Sequence, residues 1–60
     1  MSIYKIGQIV QINDLGNDFN GIYGVIKKIE LGSDHISILY SVEFQTQSML
    51  VFLENELKAA

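Results

Sequence analysis

Between Ile36 and Phe44 every second residue is apolar: Ile36, Ile38, Tyr40, Val42 and Phe44 alternate with Ser37, Leu39, Ser41 and Glu43. Successive side chains of an extended strand point to opposite faces, so this spacing gathers the apolar groups on one face of a strand. A helix of the same sequence would scatter them around its circumference. A chain organised around such a segment folds as β structure. It is also short: 60 residues form a single domain, 1–60, which buries only about 60% of the surface its unfolded chain exposes. The absence of cysteine excludes disulfides, thiolate metal sites and cysteine nucleophiles together. Packing within the chain, or against a partner, must hold it.

There is no Pro, which leaves Gly and Asn as the strong turn signals. Gly7–Ile12 is β-rich and runs into Asn13-Asp14, whose side chains favour a turn by bonding their own backbone. This is the first strand. From Asn13 to Tyr23 the chain holds three Asn, two Asp and two Gly with Leu15, Phe19, Ile22 and Tyr23 between them, a long loop with apolar anchors. A second strand runs from Gly24 to Leu31. Ile26 and Ile29 lie three apart and cannot share a face of a regular strand, so burying both requires a bulge near Lys27-Lys28. Gly32-Ser33-Asp34 is a turn, Ile36–Phe44 the third strand, Gln45–Ser48 a hairpin turn and Met49–Leu53 the fourth strand. Glu54–Leu57 closes one helical turn and folds Leu57 back onto the core. The sum is an all-β fold, a small antiparallel barrel of four to five short strands with a short C-terminal helical turn. Its expected core is Val10, Ile12, Ile26, Ile29, Ile38, Tyr40, Val42, Phe44, Val51, Phe52 and Leu57, with Ile9, Val25, Leu31, Leu39, Leu50 and Leu53 partly facing outward.

Four Lys and no Arg oppose seven acidic residues, for a net charge of -3 and a pI near 4.7. That balance is opposite to the electrostatic footprint of a nucleic-acid binder. Met1–Gly7 has no long apolar run after Lys5 and no small-residue cleavage site, unlike a secretory signal. The longest unbroken apolar run, Met49–Leu53, falls far short of the roughly 20 residues of a spanning helix. A cytoplasmic protein without a membrane role is expected.

The motifs of chemistry are absent or incomplete. His35, the one histidine, adjoins Asp34, but neighbours on a strand point to opposite faces and are badly placed for general-base work. Ser37 and Ser41 have no base beside them. If Gly21 is set at the glycine position of a calcium loop, Gly16 falls on the first ligand position and Lys27 where a bidentate Glu belongs. Gly21-Ile22-Tyr23-Gly24 lacks the Lys-Ser/Thr tail of a phosphate loop. The expectation is a non-enzymatic protein with no catalytic residues, no cofactor, no metal and no small-molecule substrate.

Gly7-x-x-Val10-x-Ile12-Asn13-Asp14, Asp18-Phe19-Asn20-Gly21, Gly24-x-Ile26-x-x-Ile29 and a β-rich stretch ending in Phe52 and Glu56-Leu57 together resemble the KOW-type Src-homology-3-like barrel. That barrel occurs in NusG-type transcription factors and some ribosomal proteins. The resemblance spans Gly7 to Leu57, with Gly21 and Gly24 both placed for the motif glycine. It implies a tight barrel whose first loop, with its aromatics, holds RNA or a protein partner. Here that loop carries Asp14, Asp18, Phe19 and Tyr23 and no basic residue, a departure that weakens the RNA implication. Similar tiny acidic barrels are also found as small phage or prophage proteins and as accessory subunits.

Apolar residues exceed what so small a core can enclose, and alternating ones on neighbouring strands join into interface patches. The function expected is therefore protein interaction, with a protein partner or by self-association as a homodimer. The Asn13–Tyr23 loop and exposed apolar strand faces make the contact, with Phe19, Tyr23 and Tyr4 as aromatic anchors and Asp14 and Asp18 beside them. The alternative is a KOW-like nucleic-acid binder using Lys27 and Lys28, which would lose affinity steeply with salt.

Overall fold

The structure is a computed structural model that describes residues 3–60. It comprises β1 (Ile9–Ile12), β2 (Tyr23–Leu31), β3 (Ile38–Glu43), β4 (Met49–Leu53), a 3₁₀ turn (Glu54–Glu56) and β5 (Leu57–Ala59). All pairings are antiparallel, and one sheet runs in the order β4-β3-β2-β1-β5. The all-β architecture with a short C-terminal helical turn is thus the one the sequence implies. The 3₁₀ turn swings the chain from β4 at one end of the sheet to β5 at the other. There Leu57 pairs with Ile12 and is buried in the core.

β2 organises the sheet because its first residues pair with β1 and the rest with β3, Val25 being shared by both. The register shifts between Ile26 and Lys28. Lys27 is the extra residue, and the bulge lets Ile29 pack against the core alongside fully buried Ile26. Gly24 occupies the crossing point. A Cβ there would collide with Val42 Cγ1 and sit 3.0 Å from the Glu43 carbonyl oxygen, so the close approach of β2 and β3 depends on glycine. Gly21 serves differently, adopting φ +87° where the loop enters β2.

The core joins Tyr4, Val10, Ile12, Ile26, Tyr40, Val42, Phe44, Phe52 and Leu57, with Phe19, Ile29 and Ile38 against it. Tyr4 meets Tyr40 edge-to-face at 5.3 Å and donates its hydroxyl to the Leu57 carbonyl at 3.2 Å. Its pKa is raised by burial and by the nearby Glu54 carboxylate. Tyr40 donates its hydroxyl to Glu54 Oε1 at 3.2 Å, so its polar tip has a partner although the residue is fully buried.

Two expectations need correction. Val51 is not core: it is 58% exposed, because the pairing of Tyr40 with Phe52 turns Phe52 inward and its neighbour outward. The third strand begins at Ile38 rather than Ile36, which is 82% exposed. Asp34 captures this segment: its Oδ1 accepts the Ile36 and Ser37 N–H groups at 3.0 and 2.9 Å, and its Oδ2 accepts the Ser37 hydroxyl at 2.7 Å. These bonds, led by the one from Ile36, hold the carboxyl down at about 2. His35 crosses the turn at φ +60°. A local side-chain competitor for the backbone overrode the strand pattern.

Candidate functional site

The Asn13–Ile22 loop is built from its own polar residues. Asn17 N–H donates to the Asp14 carbonyl, Asn20 N–H to that of Asn17 and Ile22 N–H to that of Phe19, each at 3.0 Å. Side chains complete the turns: Asp14 Oδ1 accepts from Gly16 N–H, Asn17 Oδ1 from Phe19 N–H and Asn20 Oδ1 from Asp14 N–H. These three side-chain oxygens serve as turn acceptors. Bonds from Gly21 N–H to the Ile12 carbonyl and from Ile12 N–H to the Ile22 carbonyl close the loop at its base.

This frame delivers two aromatics to one end of the sheet. Phe19 folds down and stacks on Phe44, centroids 4.8 Å apart and planes 13° from parallel. Phe44 in turn meets Phe52 edge-to-face at 6.3 Å, so the loop is tied to the core through an aromatic column. Tyr23, the first residue of β2, points outward on the same face as Val25 and is 55% exposed. It stands between two shallow clefts. One, about 370 Å³, is lined by Phe19, Ile22, Tyr23, Phe44, Gln45 and Thr46. The other, about 360 Å³, is lined by Ile9, Tyr23, Val25, Glu43, Phe44, Gln45 and Gln47 with the backbone of Gly24.

The residues singled out from sequence are therefore distributed unevenly. Phe19 and Tyr23 share one cleft, Phe19 as a half-buried wall and Tyr23 as an exposed ridge. Asp14 and Asp18 lie in the same loop, Asp14 half-buried and Asp18 exposed. Tyr4 is apart from them, a core residue whose ring lies against Tyr40. It supports the core rather than offering a contact face. Lys27 and Lys28 sit at the bulge of β2, and each is paired: Lys27 Nζ with Glu43 at 3.7 Å and Lys28 Nζ with Glu30 at 2.8 Å. Contributions from Ile9, Phe44 and the β3–β4 turn are absent from the sequence-derived set. Only the long-range pairing of β1 and β3 onto β2 brings them beside Tyr23.

A further groove of about 450 Å³ lies between the β2–β3 turn and the 3₁₀ turn, lined by Ile36, Ser37, Ile38, Leu53, Glu54 and Asn55. Its one carboxylate, Glu54, accepts the Tyr40 hydroxyl. Among the described residues no cluster of three His, Cys, Asp or Glu could hold a metal ion, and no helix is long and apolar enough to cross a membrane. Comparison with known protein families, curated proteins and solved structures returns no match.

Proposed function

We propose that this chain is a protein-interaction module without catalytic activity, a Src-homology-3-like barrel of the KOW type. It docks a protein partner through the surface around Tyr23, between the Asn13–Tyr23 loop and the β3–β4 turn. The observation that carries the proposal is the half-exposed Tyr23 ring flanked by two clefts whose shared floor is Phe44. A rigid aromatic ridge between apolar hollows is the arrangement that supplies most of the energy of small interfaces. The strand order, with a 3₁₀ turn carrying the last strand back to the first, supports the barrel assignment. Asp14 and Asp18 in the adjoining loop, and the net charge of -3, favour a partner that is basic or neutral at the contact. The expected compartment is the cytoplasm.

The test is affinity capture from a lysate of the native source, using the wild-type chain and Tyr23→Ser, with and without nuclease. A stoichiometric protein that survives nuclease and falls by about ten-fold or more with Tyr23→Ser is expected, the loss typical of a hot-spot aromatic. Equal capture by the variant would overturn the assignment of the site. Ribosomal or polymerase components that vanish with nuclease and high salt would instead favour the KOW-like nucleic-acid reading, against which the ion pairs of Lys27 and Lys28 weigh.

A further inference from the structure

β4 ends the sheet, and its sequence, Met49-Leu50-Val51-Phe52-Leu53, contains no charge, no Pro and no Gly. Charges, prolines and bulges are the devices that ordinarily keep an exposed edge from pairing with another chain. The ladder to β3 determines which backbone groups of the edge are open. Phe44 N–H donates to the Ser48 carbonyl at 2.9 Å, and Val42 with Leu50 and Tyr40 with Phe52 follow at intervals of two. Leu50 and Phe52 therefore turn their N–H and C=O groups toward β3, and Met49, Val51 and Leu53 turn theirs to the open edge. The Leu53 N–H already donates to Glu56 Oε1 at 2.7 Å. The side chains of Met49, Val51 and Leu53 are exposed on the outer face.

We propose that a second copy of this chain covers the edge, the two β4 strands running antiparallel about a two-fold axis at Val51 so that the two sheets join. The strand is self-complementary in that register. Met49 faces Leu53 of the second copy, Leu50 faces Phe52 and Val51 faces its own counterpart, so every opposed pair is apolar. Glu54 meets Ser48 rather than another carboxylate. Backbone groups match as well: each Val51 N–H reaches the opposite Val51 carbonyl and each Met49 N–H the opposite Leu53 carbonyl, while the Leu53 N–H exchanges Glu56 Oε1 for the opposite Met49 carbonyl. Sliding the pairing toward the 3₁₀ turn would set Glu54 against Leu50, and sliding it the other way would set Leu53 against Gln47. The opposite edge, β5, is the poorer partner: it has three residues, its Leu57 is already buried and Lys58 would lie on an apolar strand.

A five-residue edge makes an interface in the small, transient class, below about 1,200 Å² in total. Association is accordingly dependent on concentration. Each copy carries a net charge of -3, with Glu54 and Glu56 at the end of the strand, and this opposes association, so salt that shortens the screening length to about 8 Å strengthens the dimer. This surface is separate from the Tyr23 ridge, and the two proposals fail independently.

The test is sedimentation equilibrium of the full chain from low micromolar to about millimolar concentration, at low and physiological salt, beside Val51→Lys. The mass should rise from 6.7 kDa toward twice that value and rise sooner with added salt. Val51→Lys should weaken association by about ten-fold or more, with an unchanged circular dichroism spectrum because the site is exposed. Amide exchange of the wild type gives a readout that needs no variant: the Met49 and Val51 amides should gain protection as concentration increases. A constant monomer mass, protection that does not change at Met49 and Val51, or a mass that grows past the dimer would overturn the proposal.

Discussion

Gly24→Ala tests the closest approach in the fold. The added Cβ would strike Val42 Cγ1 and lie 3.0 Å from the Glu43 carbonyl oxygen and 3.3 Å from Phe44 Cδ1. Val42 can rotate only at the expense of core packing, since it is fully buried. The Glu43 carbonyl cannot rotate at all, because Glu43 pairs directly with Val25, so β2 and β3 must separate locally. Because neither neighbour can give freely, the overpacking falls in the upper part of the usual range, about 2–3 kcal/mol, and the restricted unfolded chain returns about 0.4–1 kcal/mol. A domain of this length has roughly 3–9 kcal/mol of total stability, so the net loss removes a large share of it. The expected thermal midpoint falls by roughly 5–20 °C. Gly16→Ala is the matched control: its Cβ would meet only Asp14 Oδ1 at 3.7 Å, an ordinary contact, and stability should change by less than about 0.5 kcal/mol. Thermal and urea melts by circular dichroism read both variants. Placing Gly24→Ala in a Val42→Ala background should cost less than in the wild type, because one of the clashing atoms is gone. An unchanged midpoint for Gly24→Ala would refute the packing of β2 on β3 described above.

Gln47 adopts φ +68° in the β3–β4 turn, where its N–H donates to the Phe44 carbonyl at 2.8 Å; Gln47→Gly should raise stability by about 0.5–1 kcal/mol in urea melts by relieving left-handed strain. Phe19→Ala removes the stack on Phe44, and because Phe19 is only half-buried the cost should be about 1–2 kcal/mol, below that of a fully buried Phe, with the loop end of the barrel losing amide protection first. Asp34 is held at about 2 against an ordinary 3.8, so the unfolded chain takes up the proton first: its stabilising contribution is complete above pH 4 and is lost as pH falls toward 2. Asp34→Asn should flatten this part of the acid limb of the pH–stability curve, and an unaltered limb would place that stabilisation elsewhere.

Most of the fold was legible because it rests on local patterns. The alternation through Tyr40, Val42 and Phe44 fixed the inward face of β3, and the three-residue spacing of Ile26 and Ile29 required the bulge found at Lys27. The Asn and Asp residues of the first loop marked turns that their side chains do make. Legibility failed where a decision was not local. In Met49–Leu53 every residue is apolar, so no alternation distinguishes the faces, and only the pairing with β3 puts Phe52 inside and Val51 outside. Ile36 continues the strand pattern, yet a carboxylate two residues earlier holds it in the turn. The candidate site was half visible: Phe19 and Tyr23 were found from loop composition, but Ile9, Phe44 and Gln45 reach Tyr23 only through strand pairing across the sheet.

The exposed apolar residues divide into two kinds. Leu15 and Leu31 stand on a turn and at a strand end, and single exposed apolar side chains of this kind call for no partner. A second group lies along a line that the registers define: Ile9 pairs with Val25, Val25 with Glu43 and Glu43 with Met49. At one side of this line stands the Tyr23 ridge and at the other the open edge of β4. Glu43 is the charged residue between them, and its carboxylate is drawn toward Lys27 rather than left to repel a neighbour. The charged pair there interrupts the apolar surface between them. The two proposed contacts accordingly differ in chemistry, cleft-filling side chains at Tyr23 and main-chain hydrogen bonds at Met49 and Val51.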